Sequence, residues 1–348
     1  MFWSPTPVVF AALRRIRLTL SIGRLASPFA NFATLAVLSS SMVVAAQQAQ
    51  QVPPADQAPA APAPTAAPAF PKPDPANFTA ATPTRETVDA FLSASWGYDE
   101  NRIWQTEAII KTAVEGYNKV IVFVGDKTGK DKPFRFAFIA LPDGKHMMYN
   151  EDIFPFGEHP YADLRAVMQE RADGPYRGNA AKDLEIVEFA DLQCPHCKAA
   201  QANMDQLATD FPHARIVFQN YPLPMHAEAH RAAAYGVCVA KAGGSNAFFT
   251  YASSVFDGQD GLNTPDGAQL TLNAAVTKAG QDPAKIATCA ALPATNAEVD
   301  ASVKLAKDSS INETPTLVIN GRQVPANVPY QTLKQIIEFQ MKLDGIQK

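Results

Sequence analysis

The chain has 348 residues, a formal net charge of −4 and 47% hydrophobic residues, enough for a buried core in one or two domains. This mildly acidic balance excludes the concentrated basic face that nucleic-acid binding requires. Four cysteines in such a length exclude a small disulfide scaffold, and ten of the 28 prolines crowd between residues 47 and 84, so the folded part is shorter than the chain.

Residues 1–46 read as a signal peptide. Arg14, Arg15, Arg17 and Arg24 form a basic leader without acidic residues, and an uncharged stretch follows, densest from Ala33 to Ala46. Val44-Ala45-Ala46 sets small residues where a signal peptidase cuts, so cleavage is expected near Ala46. An uncleaved leader would instead be a membrane tether, although Pro28, Asn31 and the serines weaken a spanning helix there. Either way the protein is expected outside the cytoplasm, in a compartment where disulfides persist. From residue 47 to 84 a proline-alanine-glutamine tract favours extended polyproline II and reads as a linker.

Folding is expected from Thr84, an N-cap for a short helix whose Val88, Phe91, Leu92 and Ser95 share one face up to Trp96. Strand-like runs follow at Ile103–Ala113, Lys119–Gly125 and Phe134–Leu141, and Pro142-Asp143-Gly144-Lys145 turns the last of these into His146–Asn150 as a hairpin. A helical segment from Pro160 to Ala172 stops at Asp173-Gly174-Pro175, so residues 85–175 read as a small α+β domain. His146 and His159 read as surface residues there, since neither has a cysteine or a second histidine close by.

Residues 176–348 carry the chemistry. A strand at Leu184–Phe189 runs into Cys194-Pro195-His196-Cys197, a helical pattern with Met204, Leu207 and Phe211 inward, and a strand at Arg215–Tyr221. Alanine-rich helical sequence fills His226–Ala242, Asn246–Phe256, Gln269–Lys278 and Asp282–Ala290, and Thr314–Arg322 precedes a closing helix from Pro329 to Lys342. Two cysteines two residues apart at a helix N-terminus meet the positive end of the helix dipole and free N–H groups, which favour thiolate. Cys194 is therefore expected as the exposed nucleophile and Cys197, one turn on, as the shielded resolving sulfur. Pro195 suits the first helical turn, and His196 adds a polar neighbour. Half of a zinc site is the alternative, with His226 and His230 at H-x3-H spacing, but a full helix and strand intervene, longer than compact zinc modules allow. Both histidines read as solvent-exposed.

Through this motif, residues 184–348 resemble a thioredoxin-fold domain of the DsbA type, the periplasmic disulfide oxidoreductases. The resemblance implies an α/β class, a thioredoxin fold with a helical insertion at about 226–307, preceded by the small α+β domain. It implies that Glu188, six residues before Cys194, is a buried acid exchanging a proton with Cys197. It also implies that Thr314-Pro315 is the cis-proline loop receiving substrate backbone. Cys238 and Cys289 then read as a structural disulfide pinning the insertion, two buried free thiols being the alternative. No organic cofactor or metal is implied. The expected partners are reduced or unfolded exported proteins and a membrane protein that recycles the enzyme. Threonine before the proline is also typical of isomerase and reductase relatives, and residues 85–175 are similar in layout to the dimerisation domain of DsbC and DsbG-type isomerases. An oxidase is thus the first expectation. The alternative is an isomerase or reductase, which would pair as a homodimer, or a chaperone-like binding module with secondary redox activity.

Overall fold

A computed structural model describes residues 70–129 and 132–347; the expected signal peptide and most of the linker lie outside these residues. The described strands form two five-stranded sheets. No helix among the described residues is long and apolar enough to cross a membrane.

The first sheet is an antiparallel meander of β1 (Arg102–Lys111), β2 (Asn118–Asp126), β3 (Phe134–Ala140), β4 (His146–Tyr149) and β5 (Asp152–Pro155). Alternation dictates its buried face: Val120, Val122 and Val124 of β2 point inward with Phe136 and Phe138 of β3. Helix α1 (Arg85–Trp96) covers that face through Val88, Phe91, Leu92 and Trp96, and Thr84 caps it by accepting the Thr87 N–H. The expected hairpin is present, with Ile139 opposite Met148 and Ala140 opposite Met147.

Ordered packing begins earlier than the expected Thr84. Phe70 stacks on Phe123 with ring centroids 5.8 Å apart, and Gln105 donates to the Pro71 carbonyl at 2.6 Å. Pro75–Asn77 form a 3-10 turn, and Phe78 bridges Ile109 of β1. Prolines offer no N–H to a sheet, but Phe70 and Phe78 supply apolar anchors that carry the end of this tract onto the sheet.

The second boundary also differs. Helix α2 (Ala162–Arg171), expected in the small domain, packs Met168, and Ala172 just after it, against Val187, Phe189 and Val217 of the second sheet. That sheet has the order β10-β9-β7-β8-β6, from β6 (Tyr176–Gly178), β7 (Glu185–Ala190), β8 (Arg215–Asn220), β9 (Thr316–Ile319) and β10 (Arg322–Pro325). Strands β7 and β8 are parallel, joined by α3 (Pro195–Asp210), while β9 runs antiparallel to β7. Both faces of β7 are covered: Ile186 packs with α3 and α8 (Tyr330–Leu343), whereas Val187 and Phe189 pack with α2 and α7 (Pro293–Asp308). Asn320 and Gly321 make the β9–β10 turn, both with positive φ. A Cβ on Gly321 would lie 2.1 Å from the Tyr161 carbonyl oxygen, so α2 approaches this turn as closely as glycine permits.

Between β8 and β9 stands the helical insertion: α4 (Ala229–Asp257), a 3-10 turn (Gln259–Asn263), α5 (Pro265–Lys278), α6 (Pro283–Ala290) and then α7. Helix α4 breaks at Gly244, between the two helical spans read from the sequence. No separate helix was expected where α7 lies.

Candidate active site

Strand β7 ends at Ala190, and Asp191–Gln193 lead to Cys194, the N-cap of α3, with Pro195 in its first turn. Cys194 and Cys197 are unpaired thiols, and both are buried in an apolar cluster that includes Leu192, Phe218, Val255 and Leu262. Cys194 is therefore less open than the exposed nucleophile expected, because the insertion closes over it. Pro195 and His196 are exposed. The Thr314-Pro315 peptide bond is cis, and the Thr314 carbonyl oxygen lies 3.8 Å from Cys194 Sγ.

The two sulfurs are driven in opposite directions. The Cys197 thiol beside it, more than any other group, brings Cys194 down from the ordinary 9.0 to about 5, against the effect of burial; the Thr314 hydroxyl and the N–H groups of Cys197 and His196 add to the lowering. His196 thus acts on the sulfur through its backbone while its ring faces solvent. Burial raises Cys197 far above the usual thiol range, opposed by the Asp191 N–H, which donates to Cys197 Sγ at 3.4 Å. Below the pair, Glu188 is fully shielded on the Ile186 face of β7. Burial pushes its carboxyl up to about 7, while the Gln201 side chain, donating to Glu188 Oε1 at 3.0 Å, pulls it down. The same Gln201 amide donates to the Cys197 carbonyl at 3.0 Å.

Glutamines stitch the loop to the insertion. Gln259 Nε2 donates to the carbonyls of Leu192 and Cys194, both at 3.0 Å, while Gln193 donates to the Leu262 carbonyl and accepts the Glu228 N–H. His226, expected in solvent, has Nδ1 2.7 Å from Oδ2 of the buried Asp191; His230 is half-exposed beside Asp300. Sequence reasoning passed over Asp191, Gln193, Gln201 and Gln259, and read His226 as a solvent-exposed residue. Only Asp191 carried a signal, a carboxylate at the end of an apolar strand three residues before the motif. Cys238 and Cys289 are joined, S–S 1.96 Å, tying α4 to α6. Among the described residues no group of three or more His, Cys, Asp or Glu side chains is arranged to hold a metal ion.

Residues 170–339 match the family model described as Thioredoxin. Over these residues the chain is similar to the thioredoxin family. The protein is also similar to a thioredoxin-like oxidoreductase from Silicibacter pomeroyi DSS-3, with 22% identity, TM-score 0.43, and coverage of 51% of this chain and 98% of that one. It is similar to DsbA2 of Pseudomonas aeruginosa, with 27% identity, TM-score 0.41, and coverage of 48% and 93%. The catalytic domain of Proteus mirabilis ScsC shares 20% identity at TM-score 0.42, with coverage of 51% and 98%. No curated protein matches the chain. In the matched region the candidate site lies at the β7–α3 junction, opposite the cis-proline loop.

Proposed function

We propose that the protein is an exported thiol–disulfide oxidoreductase that oxidises substrate proteins through Cys194 and Cys197. The observation that carries this reading is the geometry of the pair: Cys194 at the N-cap of α3, one helical turn from a shielded Cys197 and beside the cis Thr314-Pro315 bond, a setting that lowers the Cys194 thiol to about 5. A thiolate this favourable is a good leaving group and stabilises the reduced enzyme, which makes the disulfide form oxidising. In the forward reaction a substrate thiolate attacks Cys194 Sγ, the Cys194–Cys197 bond breaks, and Cys197 leaves as thiolate. Glu188, held by Gln201, supplies its proton. A second substrate thiolate then attacks the substrate sulfur of the mixed disulfide and Cys194 leaves, so two electrons pass to the enzyme. An oxidant, expected in a membrane redox partner, returns the pair to the disulfide. Thr314 and Pro315 offer backbone to the substrate beside the sulfur, and the Cys238–Cys289 disulfide holds the insertion that shields the site.

The small N-terminal domain favours a second reading, a disulfide isomerase or reductase that pairs through this domain as a homodimer. The reduction potential of Cys194–Cys197 in a glutathione equilibrium tests the direction. A strongly oxidising value, roughly −120 mV, supports the oxidase, whereas a thioredoxin-like value of about −270 mV overturns it. Replacing both Cys194 and Cys197 by Ala tests exchange itself: protection of unfolded clients that survives intact would favour a chaperone-like module. The periplasm is the expected compartment, with membrane tethering if the leader stays on.

A further inference from the structure

A carboxylate that the exchange steps above do not use lies beside the redox pair. The Asp191 side chain is 0% exposed. Its Oδ1 accepts the Gln193 N–H at 2.7 Å, and its Oδ2 accepts the Leu223 N–H at 2.8 Å and lies 2.7 Å from His226 Nδ1. A shielded carboxyl group is costly unless its oxygens are bonded, and these oxygens are bonded from three separate positions in the chain. The main chain of the same residue touches both cysteines. Its carbonyl accepts the Cys194 N–H at 3.0 Å, and its own N–H donates to Cys197 Sγ at 3.4 Å.

We propose that Asp191 and His226 are positioning residues for Cys197: His226 anchors the Asp191 side chain, and the anchored residue holds its N–H against the Cys197 sulfur while that sulfur carries charge. This rests on the exchange reading given above. Cys197 is fully buried, so a thiolate there depends on the few donors that reach it. The Asp191 N–H and the Thr314 hydroxyl both ease its ionisation. When a substrate thiolate attacks Cys194 Sγ, a new S–S bond forms, the Cys194–Cys197 bond breaks, and its electron pair goes to Cys197. A hydrogen bond to a charged acceptor is worth about twice a neutral one, so the Asp191 N–H contributes most at this moment. Disulfide closure is the reverse step and needs the same donor. His226 lies on the segment between β8 and α4, and its ring reaches Asp191 from outside the active-site loop. It therefore acts through Asp191.

The test uses the full chain in its disulfide form, with a reduced single-cysteine peptide as the attacking thiol and rapid-mixing detection of the mixed disulfide. His226→Ala is expected to slow disulfide opening roughly tenfold, the scale of one charge-assisted hydrogen bond. His226→Asn, which keeps an N–H near the Nδ1 position, should recover most of the rate; His226→Gln, whose amide sits farther out, should stay slow. If His226→Ala does not fold, the Asn and Gln variants carry the comparison. Equal rates in all variants, or Asn no faster than Gln, would overturn the positioning role. Failure of the wild-type protein to form the mixed disulfide, or capture of peptide undiminished in Cys194→Ser, would instead overturn the exchange reading.

Discussion

Cys194 and Cys197 sit one helical turn apart, and their surroundings decide which of them carries charge. Cys194 gains from the Cys197 thiol and the Thr314 hydroxyl, whereas burial dominates at Cys197. Alkylation of the reduced protein should therefore follow a single thiolate with a midpoint at about 5. Thr314→Val, which removes the hydroxyl and keeps the shape, should move that midpoint upward. A midpoint unchanged in this variant would remove Thr314 from the account. Glu188 gives a second test at this scale. Its carboxyl stands at about 7 in the folded protein against an ordinary 4.5. Between these values the folded chain retains a proton that the unfolded chain has released. Stability contributed by this proton is complete below 4.5 and is lost as pH rises through about 7. The cost at higher pH is about 3 kcal/mol on the 1.4 kcal/mol per unit scale. Glu188→Gln should thus raise the melting temperature most above neutral pH, with the gain shrinking toward acid. An equal gain across the pH range would place the retained proton elsewhere.

At the scale of elements, what was legible in the sequence was local. The strand-to-helix junction puts Cys194 at an N-cap and Pro195 in the first turn, features written into consecutive residues. Burial of Glu188 followed from the resemblance, and its two-residue spacing from Ile186 on β7 places it on the face that α3 covers. What the sequence did not reveal depends on closure of distant segments. Gln259 reaches the Cys194 carbonyl from 65 residues away, and His226 finds Asp191 across 35. Nothing near either residue announces its partner. Helix α2 shows the same limit: Met168 marks one face as buried but not which sheet buries it. Proline composition also outweighed Phe70 and Phe78, although two aromatic anchors suffice to dock a segment that has few donors. The Cys238–Cys289 bridge is the element-scale counterpart of these long contacts. It spans a sequence separation of 51 and ties α4 to α6. Closing a loop of that length is worth roughly 4 kcal/mol in the unfolded-chain model. Replacing both cysteines by Ala should cost ~2–4 kcal/mol in denaturant unfolding and leave the Cys194 alkylation midpoint in place. A variant as stable as the wild type would mean the insertion holds itself together by packing alone.

The whole molecule turns on Arg322. This residue of β10 is 3% exposed, and its charge meets the C-terminal end of α1 in the small domain. Nη1 donates to the Ser95 carbonyl at 3.1 Å, Nη2 donates to the Ala94 carbonyl, Nε donates to Gln340 Oε1 at 3.1 Å, and the guanidinium lies 4.3 Å over the Tyr161 ring. The last carbonyls of a helix have no partner within it and carry the negative end of its dipole, so a buried guanidinium and a helix C-terminus satisfy each other. Close approach reinforces the joint. A Cβ on Gly97, which ends α1, would come within 2.7 Å of the Phe339 ring of α8. Helix α1 and its sheet are therefore docked on β10 and α8 by groups that neither side can leave unpaired without loss. Arg322→Met fills the space but strips two carbonyls of their donor, at ~1–3 kcal/mol for each acceptor left buried. The wild-type protein should melt in one cooperative transition. Arg322→Met should melt in two, with proteases cutting first between residues 155 and 162, and Gly97→Ala should behave the same way by forcing the surfaces apart. The Cys194 alkylation midpoint should not follow, because the active-site loop draws its hydrogen bonds from α3, the insertion and the cis-proline loop. A single unchanged transition in both variants would mean that the domains are coupled elsewhere.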